Sequence, residues 1–266
     1  MERYVIRGGR EGYERLLILA RAKWPGTRAL FERVGLGRDM RCLDLGCGGG
    51  EVTFELANLV GRGGHVTGID MDEVKLEAAR AAANERRLAN VEFRAANVNE
   101  WREAAAYDVV YSRFLLQHLS RPADLVQRMW AAVAPGGALV VEDADFEAMF
   151  SEPPNAGFDF FRTQYPPLLE RHGGDPLAGR KLYRYFRAAG IADPVQTISQ
   201  LVDAAGEAKT LVLTTLEAIA GGILAEGLAS QDEIDAALTS LAAFTDDPET
   251  VIGGPRTHQV WARKPR

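Results

Sequence analysis

Apolar residues along this chain recur at two spacings, one helical and one strand-like, and the two take turns. Between Gly12 and Lys23, Leu16, Leu17, Leu19 and Ala20 fall at helical spacing. Pro25 and Gly26 predict a break, with Thr27 capping a second short helix to Val34. The rhythm changes at Met40. Strands are predicted at 41–46, 65–70, 91–96, 107–112 and 138–143. Between them lie helices at 51–61, 72–88 and 121–134, the second capped by Asp72 and the third ended by Pro135-Gly136-Gly137. Strands alternating with helices of this length require right-handed crossovers, hence an α/β fold with a parallel sheet covered on both faces.

The alternation lapses after Asp143. Residues 144–176 carry Pro153, Pro154, Pro166 and Pro167 and a run of aromatics, Phe146, Phe150, Phe158, Phe160, Phe161 and Tyr165, which read as an irregular cap over the sheet edge. A helix at 175–190, a strand at 194–202, helices at 206–226 and 231–243 and a last strand at 257–265 follow. The sheet then has about seven strands. The expected layout is a helical segment at 1–38, a ligand-binding core at 39–143, and at 144–266 a cap with the last strands of the same sheet.

Composition narrows the function only slightly. With 266 residues, 47% hydrophobic and 26% charged, the chain has ample material for a buried core. A net charge of −6 disfavours nucleic acid or an anionic membrane surface as the main partner. Two cysteines, Cys42 and Cys47, are too few for a disulfide framework. With no secretory leader pattern and no run near the roughly 18 apolar residues of a spanning helix, the expected compartment is the cytoplasm. Two cysteines and four scattered histidines give no metal-ligand spacing, so no metal is expected.

The chemistry concentrates in Cys42-Leu-Asp-Leu-Gly-Cys-Gly-Gly-Gly-Glu51. A strand-to-helix turn with glycines at 46, 48 and 50 lets a ligand approach bare backbone, and a helix starting near Glu51 aims free N–H groups at it. A dinucleotide pyrophosphate would need glycine at 51, where Glu51 would oppose it with like charge. A zwitterionic ligand fits better. Asp70, ending the second strand, lies where a carboxylate can accept from both hydroxyls of a ribose.

Five stretches in order, Leu43-Asp-Leu-Gly-Cys-Gly-Gly-Gly50, 66–80, 91–101, 107–122 and 133–143, resemble the motifs of class I S-adenosylmethionine-dependent methyltransferases. The leader at 4–36 is similar to a bacterial subgroup acting on small molecules, loosely like the ubiquinone and menaquinone methyltransferases. The resemblance implies a Rossmann-like, doubly wound, seven-stranded, mostly parallel sheet with an N-terminal helical lid and late helical insertions. It implies S-adenosyl-L-methionine as cofactor, S-adenosyl-L-homocysteine as product and a small-molecule methyl acceptor, preferably an aromatic or polycyclic metabolite. Gly46, Cys47 and Gly48 would form the cofactor loop, Asp70 would hold the ribose, and Met71, Asn97 and Val98 would contact adenine. Asn97 stands where the family usually has Asp. The Ser112 carbonyl would face the methionine ammonium. Phe114 and Gln117 would line the cofactor, and Tyr4 and Arg15 would close over it.

For the acceptor, Arg113, Phe146 and Tyr165 are the candidate contacts. His118 is the candidate general base, with Asp143, Asp145 and His172 behind it. Cys47 reads as a small filler and Cys42 as strand core. Three other readings stand beside methyl transfer: a nicotinamide-dependent oxidoreductase, a non-methylating S-adenosylmethionine-binding protein, and a methyltransferase of macromolecules. A homodimer is possible through 206–243.

Overall fold

The structure, a computed structural model, describes residues 9–266. The chain runs through α1 (Gly9–Val34), β1 (Arg41–Leu45), α2 (Glu51–Val60), β2 (His65–Asp70), α3 (Glu73–Glu85), β3 (Val91–Ala95), β4 (Tyr107–Arg113), α4 (Pro122–Ala132) and β5 (Val133–Asp145). It continues through β6 (Phe150–Glu152), α5 (Ala156–Arg171), α6 (Ala178–Ala188), β7 (Val195–Ser199), β8 (Val202–Asp203), α7 (Leu211–Ala225), α8 (Gln231–Asp246), β9 (Val251–Gly253) and β10 (Arg256–Arg263).

Among the described residues, seven strands form one sheet in the order β3-β2-β1-β4-β5-β10-β7. All neighbours pair in parallel except β10, which is antiparallel to both β5 and β7. Strand order reverses between β1 and β4. A crevice opens at the carboxyl ends of strands at such a point, so ligand-binding groups gather there. Successive residues of each central strand feed opposite cores. Leu43, Val110, Leu139 and Val141 pack under α4 and α6, while Cys42, Tyr111 and Val140 pack under α1 and α2. Both faces are buried, which is why these strands read as continuous apolar runs.

The doubly wound core follows the sequence pattern closely. Asp72 caps α3, its carboxylate accepting from Val74 N at 3.1 Å and Lys75 N at 3.3 Å. Four features differ from expectation. First, α1 does not break at Pro25. Tertiary contacts hold the helix across it. Lys23 Nζ donates to Thr257 Oγ1 at 3.0 Å, Gln259 Nε2 to the Gly26 carbonyl at 3.2 Å, and Arg113 to Thr27 Oγ1 at 3.0 Å. Thr27 is therefore an acceptor for Arg113, not a helix cap. Second, β5 starts at Val133, ahead of Pro135-Gly136-Gly137, and runs through that stretch with a bulge that shifts the register between Tyr107 and Val109 on β4. Gly137 makes that possible: a Cβ there would lie 2.8 Å from the Asp108 carbonyl oxygen.

Third, the cap is ordered. Asn155 caps α5 by accepting from Phe158 N at 2.9 Å. Phe158, Phe161, Tyr165, Leu168 and Leu169 then bury one stripe against α7 and α8, despite Pro166 and Pro167 in the helix. The prolines each remove a backbone donor, and the apolar stripe outweighs that loss. A small antiparallel sheet, β6-β9-β8, closes the cap. Its strands are two or three residues long, too short to leave a period-2 signal. Fourth, Glu207–Ala225 is long and apolar enough to cross a membrane by length and composition. Here it is a short 3-10 turn followed by α7, whose Val212, Leu216, Ile219 and Ile223 are buried in the cap core.

Candidate functional site

The β1–α2 turn is built from glycines because its backbone is left-handed at three points: φ is +76° at Gly46, +54° at Gly48 and +84° at Gly50. Side chains would also collide there. A Cβ at Gly46 would lie 3.2 Å from Leu115, and one at Gly50 would lie 2.8 Å from Phe93. The loop's own N–H groups are largely consumed. Gly46 and Cys47 donate to the Ile69 carbonyl, Gly48 to Asp70 Oδ2 at 2.9 Å, and Gly50 to the Cys47 carbonyl. The donors left for a ligand are therefore those at the start of α2. The α2 N-terminus has no side-chain cap, and its first N–H groups remain for a ligand. Glu51 is turned to Arg86, at 3.1 and 3.2 Å, so its charge is balanced away from the loop.

Asp70 is oriented by two backbone donors, Gly48 N and Asp72 N at 3.0 Å, one on each oxygen. Each oxygen keeps a second lone pair. Met71 beside it is 66% exposed, so it is no core residue. Asn97 Oδ1 accepts from Asn99 N at 3.0 Å, closing a turn that leaves Val98 against the same cavity. Cys47 is packed against Gly68, its thiol pushed well above the usual range by burial and then by Asp44 and Asp70.

Asp44 lies at the end of β1, fully buried, with Thr53 Oγ1 donating to it at 2.7 Å. Burial pushes its carboxyl up to about 6, the Thr53 bond and Arg113 pulling the other way. Ser112 is buried inside β4; the cavity wall there is made by its neighbours Tyr111 and Arg113. Phe114, next in the chain, has φ +55°, a left-handed conformation that costs a bulky residue about 1–2 kcal/mol. Its N–H donates to the Glu142 carbonyl at 2.9 Å, and its ring faces the cavity. Gln117 N donates to Asp143 at 3.1 Å and its Nε2 to the Phe114 carbonyl at 3.3 Å. His118 faces the cavity, held down to about 4 by burial and by the cations Arg15 and Lys75. Its imidazole is neutral at pH 7.

One cavity of about 720 Å³ joins these groups to the cap. Gly46, Cys47, Gly48, Asp70, Met71, Asn97 and Val98 wall one end; Phe146, Phe161 and Tyr165 wall the other, with Arg113, Phe114, Gln117 and His118 between. Tyr165 stacks on Phe161 at 5.4 Å and tilts against Phe146 at 4.7 Å. Arg15 and Lys23 enter from α1, and His172 from the end of α5. Tyr4 lies outside the described residues. Two candidates are spent elsewhere. Asp143 accepts from Gln117 N and Ala144 N, and burial raises it to about 7. Asp145 is clamped by Arg180 at 2.8 Å. Neither lines the cavity. Asp44 and Lys23 do, and neither is among the candidates singled out from the sequence. Asp44 carried a signal, an acid inside an apolar strand two residues before the glycines. Lys23 marked only the end of the first helical segment in the sequence pattern.

The chain belongs to a methyltransferase family: the family model described as a methyltransferase domain matches residues 36–190, more than half of its length. Its fold and its five motifs are those of class I S-adenosylmethionine-dependent methyltransferases, and S-adenosylmethionine is the family's cofactor. Over 99 residues the chain is 37% identical to a ubiquinone biosynthesis O-methyltransferase of Acinetobacter baylyi, covering 36% of this chain and 40% of that one. The match thus spans about two fifths of that relative's length. Two solved structures share the fold. Coclaurine N-methyltransferase bound to N-methylheliamine and S-adenosylhomocysteine superposes with a TM-score of 0.54 at 18% identity, over 92% of this chain and 72% of that one. The [4+2]-cyclase SpnF does so with 0.53 at 22% identity, over 90% and 79%.

Proposed function

We propose that this protein transfers the methyl group of S-adenosylmethionine to an O, N or C nucleophile of a small aromatic or polycyclic acceptor. The observation that carries this reading is the single cavity that runs from the glycine loop and Asp70 to the aromatic wall of the cap. At about 720 Å³ it is of the size that encloses most of a small ligand's surface.

In this reading Asp70 holds the ribose hydroxyls, Met71, Asn97 and Val98 flank adenine, and Gly46, Cys47 and Gly48 let the methionine portion approach the backbone. Asp44 balances the ammonium, and the uncapped α2 N-terminus and Arg15 favour the carboxylate. The cofactor supplies the activated methyl when bound. The chain's residues orient the acceptor along the line of transfer and exclude water. Phe146, Phe161 and Tyr165 form an apolar wall for a flat acceptor. His118, unprotonated at pH 7, accepts the acceptor's proton. Its low basicity suits a phenol, whose proton is labile, better than an aliphatic alcohol. We read the acceptor pocket as governed by the cap, residues 144–256, and transfer to small molecules as the protein's role in the cytoplasm.

The test is incubation with methyl-labelled S-adenosylmethionine and a panel of phenols, amines and polycyclic acids, followed by extraction. Label in an extracted acceptor supports methyl transfer. Micromolar cofactor binding with no transfer to any acceptor supports the non-methylating reading. Within a competent pair, His118→Ala should lower kcat with S-adenosylhomocysteine affinity kept; an unchanged kcat removes the base assignment.

A further inference from the structure

We propose that Lys23 and Arg113, set against the same Phe114 ring, form a subsite for an anionic oxygen of the methyl acceptor, a carboxylate or a phenolate. The proposal rests on the methyltransferase reading and adds the acceptor's charge to it.

Lys23 is 5% exposed on the cavity side of α1. Its ammonium has three protons. One goes to Thr257 Oγ1 at 3.0 Å and one toward the Pro255 carbonyl at 3.5 Å, at the limit of a hydrogen bond. Arg113 spends one of its five donors, on Thr27 Oγ1. Among the described residues, no carboxylate stands within 4 Å of either cation. What they share is an aromatic ring: Lys23 Nζ is 5.9 Å and the Arg113 guanidinium carbon 5.7 Å from the Phe114 centroid. Phe114 occupies its left-handed backbone conformation at this place.

Arg113 is partly exposed and acts on Asp44 from beyond ion-pair distance, whereas Lys23 is buried and has no carboxylate paired to it among the described residues. Burial, and then Arg113, depress Lys23 to about 8, with Glu142 and Asp203 opposing from longer range. Glu142 is already committed, accepting from Tyr111 Oη at 2.7 Å and from Gln259 Nε2 at 2.9 Å. Asp203, on β8, faces the same cavity but lies beyond ion-pair distance. Buried cations are ordinarily paired or bound to a ligand, because leaving one unmatched in an apolar site is costly. The remaining donors of Lys23 and Arg113 point to a ligand oxyanion as the missing partner, and guanidinium geometry favours a two-oxygen group.

Position along α1 assigns that oxyanion to the acceptor and not to the cofactor. Leu16, adjacent to Arg15, lies 3.8 Å from where a Gly48 Cβ would stand, so Arg15 is at the glycine-loop end. Lys23 is about 12 Å further along the helix axis, against the cap residue Pro255.

The experiment is calorimetric titration of the S-adenosylhomocysteine-saturated protein with 2-naphthoate and with its neutral amide, in wild type, Lys23→Met and Arg113→Gln. The expected result is a wild-type preference for the acid of about tenfold or more. Lys23→Met and Arg113→Gln should each reduce that preference, and Lys23→Met should keep amide and S-adenosylhomocysteine affinities within about twofold. Equal wild-type affinity for acid and amide overturns the proposal without any variant. So does a Lys23→Met protein that loses S-adenosylhomocysteine affinity as much as naphthoate affinity, which assigns the cation to the cofactor's carboxylate. The titration is repeated on ligand-free protein. A wild type that does not bind S-adenosylhomocysteine then rejects the cofactor reading, while the acid-to-amide ratio still decides the subsite.

Discussion

The two ends of the cavity are built on opposite principles. At the glycine-loop end almost every polar group is held by another: Gly48 and Asp72 orient Asp70, Thr53 holds Asp44, and Asn99 holds Asn97. At the cap end the wall is aromatic and aliphatic, with Phe146, Phe161 and Tyr165 touching ring to ring. The first end is fixed by short-range hydrogen bonds within βα turns. The second is fixed by side-chain packing of α5 on the consecutive helices α7 and α8, which lie tens of residues further along the chain. A pre-oriented polar end suits one invariant ligand. An apolar end defined by packing can change its shape by substitution without disturbing the other. That division fits a shared cofactor and a variable acceptor.

Breaking the cap should leave the polar end intact. Phe161→Ala removes a buried ring from the cap core and should cost about 3–5 kcal/mol of stability in denaturant unfolding. The folded protein should still bind S-adenosylhomocysteine with little change by calorimetry; a parallel loss of cofactor affinity would show that the two ends are one unit. The converse change, Asp70→Ala, should lower S-adenosylhomocysteine affinity by about 10–100-fold, as expected on losing hydrogen bonds to a charged group. Its melting temperature should move far less than that of Phe161→Ala, and unchanged affinity would sink the ribose assignment.

A pH titration sharpens the role of Asp44. Its carboxyl is raised to about 6 in the folded protein, above its ordinary value of 3.8. In the ligand-free protein this group therefore favours folding below about pH 4, and that contribution is lost as pH rises through 6. Balancing the ammonium requires the ionised form. Wild-type S-adenosylhomocysteine affinity should fall as pH drops below 6, approaching about tenfold per unit. Asp44→Asn should bind more weakly at pH 8 and show a flatter profile; a parallel profile would remove Asp44 from the site. The smallest effect is expected at Glu51. Its bond to Arg86 is open to solvent on the Arg86 side, so Glu51→Gln should change stability and cofactor affinity by less than about 1 kcal/mol.

Legibility in the sequence follows the same division. The strands and helices of the core, the Asp72 cap and the placement of Gly46 and Asp70 at one edge were readable because each rests on local chemistry, a period, a cap, a left-handed turn, whereas Asn97 came from the family resemblance. The continuous α1 was not, because what carries it through Pro25 is a set of bonds to Arg113, Thr257 and Gln259, residues far away in the chain. The order within the cap was hidden by Pro166 and Pro167, which signal a break when read locally. Asp143 and Asp145 looked like reactive acids, and only the fold shows the first held by backbone N–H groups and the second by Arg180.

By itself, the sequence determined the alternation of strands and helices and the glycine loop, since each depends on residues within a turn or two of one another, and its ordered motifs carry the family resemblance that implies the cofactor. Only the tertiary structure decided which polar groups are already spent, which aromatics face the cavity, and that Lys23 and Arg113 meet at one ring. Those facts depend on pairs of residues separated by tens to hundreds of positions, and no local period or spacing encodes such a meeting.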